Sequence, residues 1–247
     1  MSKVISISLS PNVFNQDLHA AWQMMRSPLQ WQKGEHIRSL EGVFASYLGV
    51  NEESVFSFNS GRSAFLSLLS SLGIGNGDEV LLQAFTCNAV PNPVLWSGAK
   101  PVYVDVREAT FSMDARDLEK KITPRSRAII IQHTFGLAGD LLAIKEIARR
   151  RSLIVIEDCA HALGGTSHGK RLGTFGDAAF FSFGRDKVIS CVYGGMLVCN
   201  NATLKATMSL RYEKLAYPSK AWIRQQLRHP QFVKTCLRLY ALYRAAN

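Results

Sequence analysis

Lys187, Asp158 and the run Asn59-Ser60-Gly61-Arg62-Ser63 are the parts of this chain whose residue types could do chemistry together. The lysine sits in AFFSFGRDKVISCVYGG (179–195), between two apolar runs, with Gly194-Gly195 opening the second. An amine in that position is either a solvated loop charge, the commoner fate of a lysine, or a nucleophile toward a carbonyl. Glu157-Asp158 closes the apolar run LIVIED (153–158). A carboxylate there is solvated, caps the next turn, or keeps a cationic ring nitrogen protonated in a partly desolvated site. His161, three residues on, would share such a ligand. In the 59–63 run, Gly61 permits close backbone approach and Ser60 and Ser63 add hydroxyls. If a helix starts there, its first N–H groups face an anion. The plain alternative is a serine N-cap beside a glycine.

These residues need elements to position them. Short β-branched or aromatic runs recur at 54–58, 79–83, 101–106, 127–132, 153–158, 178–183 and 195–200. The first five are separated by helix-length segments such as GRSAFLSLLSSLG and GDLLAIKEIARRR. Runs that are apolar on both faces and alternate with helices predict an α/β fold, a mostly parallel seven-stranded sheet with helices on both faces. The last two connections lack helical periodicity, so the sheet is expected to turn mixed there. Ahead of it, after an irregular N-terminal arm, IRSLEGVFASYLG places Ile37, Leu40, Phe44 and Tyr47 on one helical face, stopped by Gly49. Behind it, Pro218 and Pro230 bracket a helix-like AWIRQQLRH. A basic amphipathic helix follows, with Phe232, Cys236, Tyr240 and Tyr243 on one face and Lys234 and Arg238 on another.

Composition narrows the classes. A chain of 247 residues, 47% hydrophobic, can bury a substantial core. It has no apolar run long enough to span a membrane and no signal-peptide pattern at its start, so a cytoplasmic protein is expected. The net charge of +10 is concentrated in the tail: nine Lys/Arg and one acid lie from Lys205 onward. That argues against a general nucleic-acid surface. Packing of the tail on the domain or a partner is favoured over membrane contact. Five cysteines without a C-x-x-C pair argue against a disulfide scaffold, and no metal site is expected. Gly73-Ile74-Gly75-Asn76-Gly77 follows a helical segment and precedes a strand, the wrong order for a dinucleotide fingerprint.

An anion cradle, a carboxylate for a ring nitrogen and an amine for a Schiff base are the three things pyridoxal 5'-phosphate requires. Their order and spacing resemble the DegT/DnrJ/EryC1/StrS sugar aminotransferases, a fold-type I family. The resemblance rests on SGRSAF (60–65), GDEVLLQAFTCNAVPNPVLWSGAKPVYVDV (77–106), the loop from Ile131 to Gly136, IEDCAHALGG (156–165), GKRLGTFGDAAFFSF (169–183) and SFGRDK (182–187) with Gly194-Gly195 after it. It spans roughly residues 35 to 201.

The resemblance implies that Lys187 joins the cofactor covalently and Asp158 pairs with its pyridine nitrogen. It places His161 on the ring-hydroxyl side. Ser60, Gly61, Arg62, Ser63 and Ser182 would hold the phosphate. Where the family often stacks an aromatic residue on the ring, this chain has Cys87, leaving Phe85 or another residue to cover it. The implied reaction moves an amino group from an amino acid, typically glutamate, to a nucleotide-linked keto-deoxy sugar, in a homodimer. The expected layout is an arm (1–34), a cofactor-binding large domain (35–201) and a basic helical tail (202–247). The family's G-x-N-x-R segment and small C-terminal domain are not recognisable after Asn201. A cofactor-binding but catalytically impaired or regulatory form, or a fragment, is the alternative expectation.

Overall fold

The computed structural model describes residues 14–32 and 34–246. Residues 1–13 of the expected arm lie outside the described residues. The irregular arm is corrected in part: α1 (Asn15–Met25) is helical, with Phe14 N–H donating to Asp17 at 2.7 Å to close its first turn, and turns follow it.

Seven strands form one sheet: β1 (Val55–Phe58), β2 (Glu79–Gln83), β3 (Lys100–Val104), β6 (Ser126–Gln132), β7 (Ile154–Asp158), β10 (Ala178–Ser182) and β11 (Gly195–Cys199). Two short ribbons, β4 (Val106–Arg107) with β5 (Ser112–Met113) and β8 (Thr166–Ser167) with β9 (Lys170–Arg171), stand apart from it. The sheet order is β1-β11-β10-β7-β6-β2-β3. Every pairing from β10 through β3 is parallel, and β11 runs antiparallel to both of its neighbours. Strand alternation sends side chains to two separate cores. On β7, for example, Val155 enters one core and Ile156 the other.

Helices cover both faces. α2 (Glu35–Leu48), α5 (Ala115–Lys121) and α6 (Leu141–Arg151) contribute Phe44, Leu118 and Ile144 to one core. α3 (Gly61–Ser71), α4 (Pro91–Trp96) and α7 (Ala202–Tyr212) contribute Phe65, Val94 and Met208 to the other. Burying a large aliphatic or aromatic side chain is worth about 1.5–3 kcal/mol, so these layers dominate the positioning of everything at the strand ends.

Three expectations from periodicity are corrected. In α2 the inward face is Glu41, Phe44, Ala45 and Leu48, whereas Leu40 and Tyr47 are exposed. Glu41 is drawn inward because its Oε1 accepts from Ser57 N–H (2.7 Å) and Tyr212 O–H (2.8 Å). Pro230 does not divide the tail: α8 (Lys220–Ala246) runs through it. An interior proline costs about 3 kcal/mol, and here α1 packs along α8, with a Lys234–Asn15 contact and buried Val233 beyond the proline to offset it. Finally, the stripe of Phe232, Tyr240 and Tyr243 is exposed, because the helix turns Val233 rather than that stripe inward.

Among the glycines of the described residues, the tightest approach to neighbouring backbone lies where α3 begins. A Cβ on Gly195 would sit 2.4 Å from both Gly61 N and the Ser60 carbonyl carbon, and Ser60 bridges Gly194. The diglycine is therefore a seat for the helix start as well as a turn into β11. Gly195→Ala is expected to destabilise the protein by about 1–3 kcal/mol, since backbone must move to admit the methyl. Urea unfolding measures this, and an unchanged midpoint would contradict the seat.

Candidate functional site

The parallel register brings the carboxyl ends of β6, β7 and β10 level: Gln132 and Phe180 both pair with Asp158. The carboxyl ends of parallel strands are where α/β sheets gather ligands. Alternation then sorts the side chains. Asp158 and Ser182 follow the residues that face α3, so they lie on the side of the sheet where α3 begins, and Glu157 faces the opposite side.

At the start of α3, Ser60 is the N-cap: its Oγ accepts from Ser63 N–H at 3.1 Å and lies 2.9 Å from Ser63 Oγ. Ser63 Oγ in turn donates to Asn59 Oδ1 at 2.6 Å. The N-cap reading and the anion-cradle reading therefore describe one structure, since a capped first turn still points N–H groups outward. A Cβ on Gly61 would meet Phe181 O at 3.1 Å and Ser182 Cβ at 3.2 Å, which is how the helix start comes to lie beside Ser182. Ser182 Oγ accepts a long bond from Gly184 N–H, 3.4 Å, in the loop that leads to Lys187. Arg62 is exposed.

Lys187 is not a solvated loop charge. Its side chain is only 15% exposed, and Nζ lies 3.1 Å from His161 Nε2 and 3.6 Å from Asp186 Oδ2. Burial, and then the charge of Lys187, hold the His161 pKa below its ordinary value against the pull of Asp186. Phe135 lies parallel to the His161 ring, with centroids 6.2 Å apart. Phe85 packs edge-on to Phe135 and tilts against Phe111, with ring centroids 6.3 and 5.3 Å away. Phe85 is thus joined to the Lys187–His161 pair through one aromatic row, whereas Cys87, a free thiol, is exposed nearby in sequence.

The two adjacent carboxylates have opposite environments. Glu157 is fully buried and accepts from His133 Nε2 (2.9 Å) and from the N–H groups of Gly173 (2.8 Å), Phe175 (2.7 Å) and Gly176 (2.7 Å). Burial pushes its pKa up, but the His133 and backbone hydrogen bonds outweigh burial and hold it below the ordinary range. Asp158 is also buried but accepts from a single N–H, that of Ala160, at 2.9 Å. Burial therefore pushes its pKa up to about 6, against that hydrogen bond and the neighbouring His133 and Lys187. A buried carboxyl with spare acceptor capacity is suited to a cationic partner.

His133 is the residue that sequence reasoning missed. Its Nδ1 accepts from Gly139 N–H at 3.1 Å, which leaves the ring proton on Nε2 to be donated to Glu157. The signal was present: His133 directly follows the RAIIIQ strand that pairs with β7. Although His133, Glu157 and Cys159 have ligand atoms within 4.8 Å of one another, both histidine nitrogens are already engaged. Burial, then the two carboxylates, also push the Cys159 thiol well above its ordinary range, so this cluster is a hydrogen-bonded support.

Raising a carboxyl from 3.8 to about 6 costs the ligand-free fold about 3 kcal/mol once the pH exceeds that value. The contribution of the protonated form is complete below pH 3.8 and is lost as pH rises through 6. Asp158→Asn, which keeps the acceptor for Ala160, is therefore expected to raise the thermal midpoint of the ligand-free protein at pH 7.5 by several degrees. The gain should shrink toward pH 4. Equal or lower stability at pH 7.5 would contradict the assignment.

Comparison with known proteins identifies the family of the chain. The DegT/DnrJ/EryC1/StrS aminotransferase family matches residues 13–226. GDP-perosamine synthase of Caulobacter vibrioides is 44% identical over 177 residues, covering 72% of this chain and 47% of that protein. The dTDP-4-dehydro-2,3,6-trideoxy-D-glucose 4-aminotransferase of Saccharopolyspora spinosa is 36% identical over 184 residues, 74% of this chain and 47% of that protein. The chain thus spans about half the length of the curated relatives it matches. Among solved structures, the aminotransferase TlmJ of Streptoalloteichus hindustanus superposes with a TM-score of 0.76 at 30% identity, covering 91% of this chain and 66% of that one. No helix among the described residues is long and apolar enough to cross a membrane.

Proposed function

The chain belongs to the DegT/DnrJ/EryC1/StrS aminotransferase family, and from that membership we propose that it holds pyridoxal 5'-phosphate and transfers an amino group to a nucleotide-linked keto-deoxy sugar. The observation that carries the reading is the convergence of Lys187, Asp158 and the start of α3 at the carboxyl ends of the central strands. The residues fit the cofactor: a glycine that lets the start of α3 close against Ser182, hydroxyls and N–H groups for a phosphate, a carboxyl short of donors, and an amine.

When bound, pyridoxal phosphate supplies an aldehyde that accepts amino groups and a protonated ring that takes up the electron pair left when a Cα proton departs. Ser60, Ser63, Ser182 and the N–H groups of Gly61 and Arg62 would bind the phosphate at the positive end of α3. Asp158 would pair with the protonated ring nitrogen, a cation that favours its ionised form. Phe85 would cover the ring, with Cys87 beside it. Lys187 Nζ would be the covalent partner and, as a free amine, the base that holds and moves the Cα proton. Positioned proton transfer of this kind contributes about 10² to 10⁴ in rate.

Glutamate is the proposed donor. The acceptor class follows from the relatives, whose named products and substrates are sugars carried on GDP or dTDP. A second copy of the chain is the proposed cover for Phe135 and Leu137, which are 70% and 64% exposed.

Purified protein mixed with pyridoxal phosphate is expected to develop a visible absorbance band that borohydride fixes on Lys187, and Lys187→Ala is expected to lose both. Glutamate should then bleach the band and yield 2-oxoglutarate. Absence of the band and of borohydride fixation would refute cofactor binding. A stable band that glutamate leaves unchanged would refute transamination.

A further inference from the structure

The 3.1 Å contact between Lys187 Nζ and His161 Nε2 leaves one group to donate and the other to offer a lone pair. A lysine ammonium has donors only, so Nε2 is the acceptor whenever Lys187 is charged. The imidazole proton then resides on Nδ1, and a basic nitrogen points at the amine. The surroundings hold it in place. Phe135 lies within 2° of parallel to the His161 ring. Phe135 and Gly136 both take left-handed φ values, 56° and 85°, and a Cβ on Gly136 would come within 3.1 Å of the His161 carbonyl oxygen. The turn is thus packed directly against the His161 backbone. The charged groups that face the pair are Asp186, from the same loop as Lys187, and Asp158, from the end of β7.

We propose that His161 is a catalytic residue, the proton acceptor that frees the Lys187 amine to bond with the carbonyl carbon of its ligand. This rests on the reading of Lys187 as the covalent partner of pyridoxal phosphate. Nζ passes one proton to Nε2. The lone pair left on Nζ forms a C=N bond with the aldehyde carbon and expels its oxygen as water. Of the three ammonium protons, two leave in that water, one of them relayed through Nε2, and the third remains on nitrogen. Because burial and Lys187 keep the imidazole pKa below its ordinary value, His161 stays a base through neutral pH and loses that capacity only on acidification. A glutamine at this position would offer an oxygen acceptor but could not take the proton, which separates holding the amine from deprotonating it.

The test follows capture of pyridoxal phosphate by the cofactor-free chain, without turnover. Growth of the visible band gives the rate, and borohydride followed by peptide mass analysis assigns the increment to Lys187. His161→Gln is expected to capture about tenfold more slowly or worse at pH 7, and to lose the fall in rate that the parent shows on acidification. Imidazole added to the buffer is expected to restore the rate of His161→Ala in proportion to its concentration. Capture by His161→Gln at the parent rate with the parent pH profile would overturn the role, as would an imidazole-independent rate in His161→Ala. No increment on Lys187 in the parent protein would overturn the cofactor reading itself, and this role with it.

Discussion

A fully buried carboxylate must find donors for its lone pairs or abandon its charge, and Glu157 meets that requirement by recruiting two other stretches of chain. His133 reaches it from the end of β6, and Gly173, Phe175 and Gly176 reach it from the turn before β10. Glu157 itself belongs to β7, so the carboxyl ends of β6 and β7 and the turn that leads into β10 are tied together, in the register that the strand pairing sets. Asp158, the next residue, inherits that placement: its carbonyl accepts His133 N–H at 3.1 Å, and its side chain emerges on the other face. Everything proposed for the site depends on that register.

The contrast between neighbours shows how one fold divides labour between two identical functional groups. Glu157, with four donors, stays ionised and serves as structure. Asp158, equally buried but with one backbone donor, is left with a raised pKa and an unmet demand for positive charge. Carboxylates whose environments push their pKa values apart mark a division of roles. The burial that costs the ligand-free protein stability is also what gives a cationic ring nitrogen something to gain by binding.

Elements with strong local patterns were legible. The seven apolar runs became the seven strands of the main sheet. Of the two connections without helical periodicity, the second leads into the antiparallel strand β11, whereas the first joins the parallel strands β7 and β10. Readings that depended on partners far along the chain were less legible. Leu40 and Tyr47 fit an apolar stripe on α2, but Glu41 is turned inward by Ser57 and by Tyr212, a residue 171 positions away. Pro230 is a helix breaker by local rules, and α1, from the other end of the chain, offsets it. His133 lies inside the Ile131–Gly136 motif but the resemblance attaches no role to it there, and its role exists only through strand pairing.

What the sequence by itself determined was the inventory and its order: a glycine-serine helix start, a carboxylate at a strand end, an amine after another strand, and the alternation that demands a covered parallel sheet. Those features are local, set by residue type and by periods of two and 3.6 residues. Only the tertiary structure decided that Asp158 and Ser182 share the face on which α3 begins, and that Glu157 does not. It alone brought Lys187 to His161 and the start of α3 to Gly195. The reason is physical. Register, burial and hydrogen-bond satisfaction are properties of pairs distant in sequence, and no local pattern specifies which partner will fill them.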